Sequence, residues 1–186
     1  MNLSSMRIGK REHNKQLNNK GFSLVELIVT VSIMVVLVGG LSLGTSLLFS
    51  QDAQKIAGMI DNELSDARML SMTREGTYTL TLHLKSGKTK DNKITIEDSN
   101  SSISPIETYL DKNVSIEVTN SDGSYSKSGD VDVAIVFDKG NGSVKTIDGG
   151  SASGVYIITV KSGSGSLEKT AVVNLVSVTG RHYIDK

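Results

Sequence analysis

Glu26 stands four residues beyond Phe22, at the head of a long apolar run. An acid in that position calls for a chemical partner. A carboxylate in hydrocarbon costs on the order of a few kcal/mol unless it is paired or reaches the interface. A cut between Gly21 and Phe22 would create an ammonium about one helical turn from Glu26. The carboxylate could then pair with the terminus of another copy. Other residue types offer less. The chain has no cysteine, which excludes disulfides, thiolate nucleophiles and cysteine-ligated zinc. His13, His83 and His182 are scattered, and His83 reads as a surface residue of an alternating strand. Asp138, Asn141 and Asp148 could supply oxygen ligands to calcium, but the carboxylate density is too low for a dedicated loop. They read as a turn. No spacing of serine, histidine and aspartate singles out a nucleophile. The sequence therefore points to no catalytic residue, no metal and no cofactor.

The elements that must position Glu26 follow from the segmentation of the chain. Its 186 residues carry 20 basic and 20 acidic side chains, a balance that excludes an overall basic nucleic-acid binder. Residues 1–21 nevertheless hold Arg7, Lys10, Arg11, Lys15 and Lys20 against the single acid Glu12, a net of +4 that leaves −4 on the remainder. From Leu27 to Gln51 there are 25 residues without a charge, enough to cross a bilayer, which takes about 20. Basic residues on the N-terminal flank alone predict a cytoplasmic N-terminus and an outward C-terminal part. The run exceeds the 7–15 residues typical of an ordinary secretory signal and lacks its small-x-small cleavage site.

Beyond Asp52, apolar residues recur at Ala53, Ile56, Ala57, Ile60, Leu64, Ala67 and Leu70, which is helical spacing. The pattern predicts one helix from Phe22 to about Thr73, capped by Gly76. Its half over 22–50 suits lipid, and its amphipathic half over 51–76 suits packing on a soluble domain. From residue 77 the period drops to two. Strands are predicted at Thr77–Leu84, Ile94–Ile96, Val114–Thr119, Val131–Phe137, Val155–Lys161 and Leu167–Val178. Ser86-Gly87-Lys88 and the clusters Asn120–Asp130, Asp138–Ser143, Gly149–Gly154 and Ser162–Ser166 separate them, the last as a hairpin connection. The expectation is an α+β fold, a long N-terminal helix on an antiparallel β-sheet spanning residues 77–186.

The stretch Gly21-Phe22-Ser23-Leu24-Val25-Glu26 resembles the signal of type IV prepilins and type II secretion pseudopilins. In that family a membrane peptidase cuts after the glycine and methylates the new terminal amine. The resemblance implies a basic leader of residues 1–21, cleavage between Gly21 and Phe22, N-methylation of Phe22 and a role for Glu26 in assembly. It covers residues 20–49. Many major pilins carry a helix-bending proline about twenty residues into the mature chain. Here Gly39, Gly40, Leu43 and Gly44 occupy that neighbourhood. They serve either as a softened stretch, since each glycine costs up to about 1 kcal/mol, or as small residues for close packing in lipid.

The C-terminal part is similar to the pseudopilin H (FimT-like) group in two places. One is Ile135-Val136-Phe137-Asp138 followed by Gly140 and Gly142, and the other is a closing strand, Val176-Ser177-Val178-Thr179-Gly180-Arg181. Some members of that group bind DNA through a glycine-arginine-x-arginine motif. Here the second arginine is replaced by Tyr183, which leaves Arg181 as a weak DNA contact and more plainly a solvated turn residue. The resemblance implies a structural minor pilin or pseudopilin, not an enzyme. Its partners would be other pilin subunits, prepilin peptidase and the assembly machinery in the cytoplasmic membrane, with an extracellular pilus or a pseudopilus as its destination. The alternatives are a major pilin, a competence-type DNA-uptake pseudopilin, and a signal-anchored extracellular adhesin or enzyme domain.

Overall fold

The computed structural model describes residues 22–85, 92–100, 104–110, 114–163, 165 and 168–185, with the side chains of 40–51 outside the description. Residues 1–21, expected as the leader, and the turn expected at Ser86-Gly87-Lys88 also lie outside the described residues. The chain divides into two compact units, Met1–Gly40 and Leu41–Lys186. A single helix, α1, runs over Leu24–Thr73. Its backbone stays helical through Gly39, Gly40 and Gly44. Gly76, expected as its cap, follows at positive φ.

In the second unit the helical period becomes a buried stripe. Ala53, Ile56, Ala57, Ile60, Leu64 and Ala67 lose nearly all their exposure, and they share one apolar cluster with the strands. Each fully buried isoleucine or leucine there contributes about 1.5–3 kcal/mol over an exposed one. Eleven strands follow among the described residues: β1 Tyr78–Leu84, β2 Lys93–Asp98, β3 Ile106–Tyr109, β4 Val114–Asn120, β5 Ser126–Ser128, β6 Val131–Phe137, β7 Val144–Ile147, β8 Gly150–Ser151, β9 Val155–Ser162, β10 Lys169–Val176 and β11 Arg181–Asp185. They form two antiparallel sheets rather than the one expected. The six-stranded sheet has the order β3-β2-β1-β6-β7-β8, and the five-stranded sheet β11-β10-β9-β4-β5.

Two contacts tie the helix to one edge strand of each sheet. Thr108 on edge strand β3 donates to Glu63 Oε1 at 2.6 Å, and Ser65 lies 2.8 Å from the ring of His182 on edge strand β11. Between the sheets, the buried Asn92 acts as a stitch. Its Oδ1 accepts the Lys85 amide at 2.8 Å just past β1, and its Nδ2 donates to the Val114 carbonyl at 3.1 Å on β4. Both sheets are thereby closed at one end by a single side chain.

The predicted closing strand Val176–Arg181 is corrected. Residues 177–180 are the turn between β10 and β11, with the Gly180 amide donating to the Val176 carbonyl at 2.8 Å. Likewise, strand Leu167–Val178 shrinks to Lys169–Val176, with Leu167 outside the described residues. Hydrophobic alternation carries on through Val178, but Val178 is 75% exposed, so the pattern there has no core to serve. The clusters Asn120–Asp130 and Gly149–Gly154 contain the short strands β5 and β8.

A polar joint anchors β5. Tyr125 donates to Asp148 Oδ2 at 2.8 Å, Asp148 Oδ1 accepts the Ala134 amide at 2.8 Å, and the Tyr125 ring meets Tyr156 edge-on at 5.6 Å. Burial, and then the Asp148 carboxylate, push the Tyr125 phenol well above its usual range. A raised pKa means stability that is whole below the ordinary phenol value of about 10 and lost as pH climbs through the folded value. The Tyr125→Phe variant should therefore lose less stability than the natural chain between about pH 10 and pH 12. Denaturant melts of both proteins at those pH values would check this, and parallel losses would refute it.

Candidate assembly site at the head of the helix

The backbone enters α1 through Ser23, whose carbonyl accepts the Leu27 amide at 3.1 Å. Ser23 therefore occupies the N-cap position, and Glu26 falls in the first helical turn. The Ser23-x-x-Glu26 spacing is that of a capping box, a local signal the sequence reading did not use. An acid here also faces the positive end of the helix dipole, a favourable interaction worth about 0.3–1 kcal/mol. Phe22 precedes the cap and is 81% exposed, and the Glu26 side chain is exposed as well.

Below Glu26 the apolar side chains have no common face. Leu24, Val25, Leu27, Ile28, Val29, Val31, Ile33, Met34, Val35, Val36, Leu37 and Val38 are each at least half exposed. A helix that is apolar all round, and large in exposed area, needs cover by lipid or by other helices. The two hydroxyls among the described side chains of this run do not disturb this, because Thr30 donates to the Leu27 carbonyl at 2.9 Å and Ser32 to the Ile28 carbonyl at 2.8 Å. The polar groups are satisfied within the helix itself, as hydrocarbon requires. Described side chains in this run end at Gly39, short of the roughly 20 residues a span takes. Among the described residues no helix is long and apolar enough to cross a membrane. Gly21, the other half of the expected cleavage pair, lies outside the described residues.

The residues singled out in the C-terminal part come together for a structural reason. Arg68 of α1 donates from Nε to the Gly142 carbonyl at 3.0 Å and from Nη2 to the Thr179 carbonyl at 3.1 Å. One guanidinium thus holds the β6–β7 loop of one sheet and the β10–β11 turn of the other. Asp138 shapes the first loop by accepting the amides of Gly140 at 2.9 Å and Asn141 at 3.3 Å, which is the turn expected there. Asp138 and Asn141 share that loop, whereas Asp148 belongs to the Tyr125 joint, so the three do not gather into one site. Gly180 lies against the Gly142 carbonyl. Arg181 is exposed at the start of β11, its amide donating to Thr179 Oγ1 at 3.3 Å.

His83 is more than the surface residue expected. Its Nδ1 lies 2.9 Å from Asp132 Oδ1 and its Nε2 2.9 Å from Thr95 Oγ1, which bridges β6, β1 and β2. The register places Asp132 and Lys93 directly opposite His83 on its two neighbours, a relation invisible before strand pairing is known. The connectivity is that of a hydroxyl–imidazole–carboxylate relay. Thr95, however, is only 2% exposed, so a substrate cannot reach its hydroxyl. It is a cross-strand staple.

Residues 16–42 match the prokaryotic N-terminal methylation motif. The match ends before the amphipathic half of α1 and includes Gly21, Phe22 and Glu26. The chain thus carries a type IV prepilin-like signal, which supports a pilin-like precursor that is processed by prepilin peptidase and membrane-anchored before it enters a pilus. That motif belongs to structural proteins that assemble with other pilin subunits. The α+β architecture is consistent with a type IV pilin-like fold. No curated protein and no solved structure matches the chain.

Proposed function

We infer that the chain is a filament subunit, a minor pilin or pseudopilin, that is cut between Gly21 and Phe22, methylated on Phe22 and assembled through Glu26. The observation that carries this reading is the described start of α1, residues 24–39, apolar on every side with one acid in its first turn. Lipid covers such a surface before assembly, and the helices of other copies cover it in a filament. Residues 22–50 then form a single membrane span with the leader inside. The amphipathic half over 51–76 and the β domain over 77–186 lie outside the cytoplasmic membrane. The minor, pseudopilin H-like assignment draws support from Gly142, Thr179 and Gly180 meeting at Arg68, because a shared packing node explains why such residues recur together. The same packing role weakens the DNA reading of Gly180-Arg181.

Intact-mass measurement of the protein from a host with an active prepilin peptidase tests the processing. The expected mature chain begins at Phe22, has lost residues 1–21 and carries one extra methyl group. An unprocessed mass would overturn the assignment. Abundance in purified filaments separates the two subunit classes: a trace component supports the minor role, and a dominant one makes this a major pilin.

A further inference from the structure

Edge strands β3 and β11 flank α1 and run in the same sense along it. Approaching and along β11, Thr179 meets Arg68, whose Nη2 donates to its carbonyl at 3.1 Å. His182 then meets Ser65 and Asp61, its Nε2 lying 2.8 Å from Ser65 Oγ and 3.9 Å from Asp61 Oδ1. Along β3, Ile106 shares a hollow with Leu70 and Arg74, and Thr108 donates to Glu63 at 2.6 Å. Tyr109 shares a second hollow with Ile56 and Met59. Both strands therefore count upward as the helix counts downward. Thr108 and His182 are held by Glu63 and Ser65, two positions apart on the helix, so they stand within about 3 Å of one height.

With Thr108 and His182 turned toward α1, their neighbours point away from it. Glu107 and Tyr109 on β3, and Arg181 and Tyr183 on β11, are all exposed, the tyrosines by 62% and 52%. Setting Thr108 level with His182 puts Glu107 level with Arg181 and Tyr109 level with Tyr183. Among the described residues Arg181 makes no ion pair. Glu107 accepts from Lys93 at 2.7 Å on Oε1 and from the Tyr109 hydroxyl at 3.0 Å on Oε2, and each carboxylate oxygen keeps a lone pair for a further donor. The opposite edges of the two sheets, β8 and β5, have two and three residues and no aromatic.

We propose that β11 of one copy lies against β3 of the next, a parallel edge-to-edge contact in which Arg181 meets Glu107 and Tyr183 meets Tyr109. This contact rests on the filament reading given above, because helices running side by side in one sense present the β11 flank of one copy to the β3 flank of its neighbour. The two surfaces lie on different sides of the subunit, so the contact is heterologous and repeats from copy to copy instead of closing on a pair. Each edge also offers backbone groups that a neighbouring strand can satisfy. The opposite charges set partner and register more than affinity.

The chain has no cysteine, so introduced pairs report without background. The test is mild oxidation of full-length Tyr109→Cys/Tyr183→Cys in filaments from a host with an active prepilin peptidase. Paired strands about 4.8 Å apart fall within the roughly 4.4–6.8 Å between Cα atoms that a disulfide spans. Covalent dimers and longer chains of copies are expected, and monomers alone from either single variant. Glu107→Cys/Arg181→Cys provides a second pair that should link as well, whether or not the tyrosines are needed for the contact. In the tyrosine-pair background, Arg181→Glu should cut the linked fraction roughly fivefold by setting an acid against Glu107, and Arg181→Lys should keep it within about twofold. Lys145→Glu, an equal charge reversal on an exposed side chain of β7, should leave it unchanged. Linking by Tyr183→Cys alone would overturn the arrangement, since it marks a two-fold contact. Filaments that contain the chain but form neither link would overturn the contact and leave the subunit role standing, whereas absence of the chain from filaments would overturn both.

Discussion

Replacing Gly180 with alanine should cost about 3 kcal/mol or more of folding stability, the largest loss expected from any single methyl group in this chain. Two effects add. Gly180 has φ +63, a left-handed conformation that an alanine adopts only with strain. Its added Cβ would also overlap the Gly142 carbonyl, a backbone atom already held by Arg68. Neither the β6–β7 loop nor the β10–β11 turn can retreat without breaking a guanidinium hydrogen bond. At about 2–4 °C per kcal/mol for a domain of this size, the melting temperature should fall by roughly 6–12 °C. Gly142→Ala provides a graded comparison. Gly142 shares the strain, at φ +68, but its Cβ would meet side-chain atoms, Met72 Sδ at 2.6 Å and Arg68 Nε at 2.8 Å, and not backbone, so it gives up at most one guanidinium hydrogen bond. Its loss should be clearly smaller. Equal melting temperatures for Gly180→Ala and the natural chain would show that the turn relaxes freely and that Arg68 clamps nothing.

The junction explains what was legible in the sequence and what was not. Periodicity located α1 to within two residues at its start and marked the buried strands β1, β4, β6 and β9 closely, because each serves one large core and alternates accordingly. It missed β3, β5, β7 and β8, which are four residues or fewer. So short a strand gives alternation no room to register, and its existence depends on a neighbour already in place. Strand β5, Ser-Lys-Ser, forms only because Glu117–Thr119 of β4 offer it a ladder. It also missed β11, which has a half-exposed pattern at a sheet edge and a preceding turn with Val178 pointing outward. One sheet became two because the pairing of strands distant in sequence leaves no trace in local pattern. Asn92, which stitches the two, looks from sequence like any turn residue.

Site residues divide in the same way. Gly21, Phe22 and Glu26 could be singled out because the motif they fall in is local, an acid one turn beyond a Gly-Phe pair ahead of an apolar run, and residues 16–42 match the N-terminal methylation motif. His83, His182, Asp61 and Arg68 were not, because each acts on a partner brought from elsewhere in the chain. His182 and Ser65 are separated by 117 positions, and Arg68 and Thr179 by 111. Such pairs follow from topology, and topology was the weakest part of what the one-dimensional pattern could supply.

Glu26→Val is the second substitution with a large expected effect, and it acts on assembly rather than folding. Valine keeps the helix apolar, and the loss of an acid from the first turn costs at most about 1 kcal/mol of dipole interaction. Membrane insertion and cleavage after Gly21 should therefore proceed. Incorporation into filaments, read by crosslinking between neighbouring subunits, should fall at least tenfold, equivalent to about 1.4 kcal/mol in the assembly equilibrium. The physical reason is a difference between two environments. In lipid the carboxylate is poorly solvated at the head of an apolar helix, and in the proposed assembly it would gain an opposite charge at short range from a neighbour's methylated Phe22 amine. Each partner also gives up hydration, so the pair serves correct axial register more than raw affinity. Glu26→Gln separates charge from size and should assemble as poorly as valine. Glu26→Asp keeps the charge on a shorter stem and should fall between them and the natural chain. Normal incorporation of both Glu26→Val and Glu26→Gln would remove Glu26 from the assembly mechanism, leaving the exposed apolar helix and the edge-strand contact as the elements that join one copy to the next.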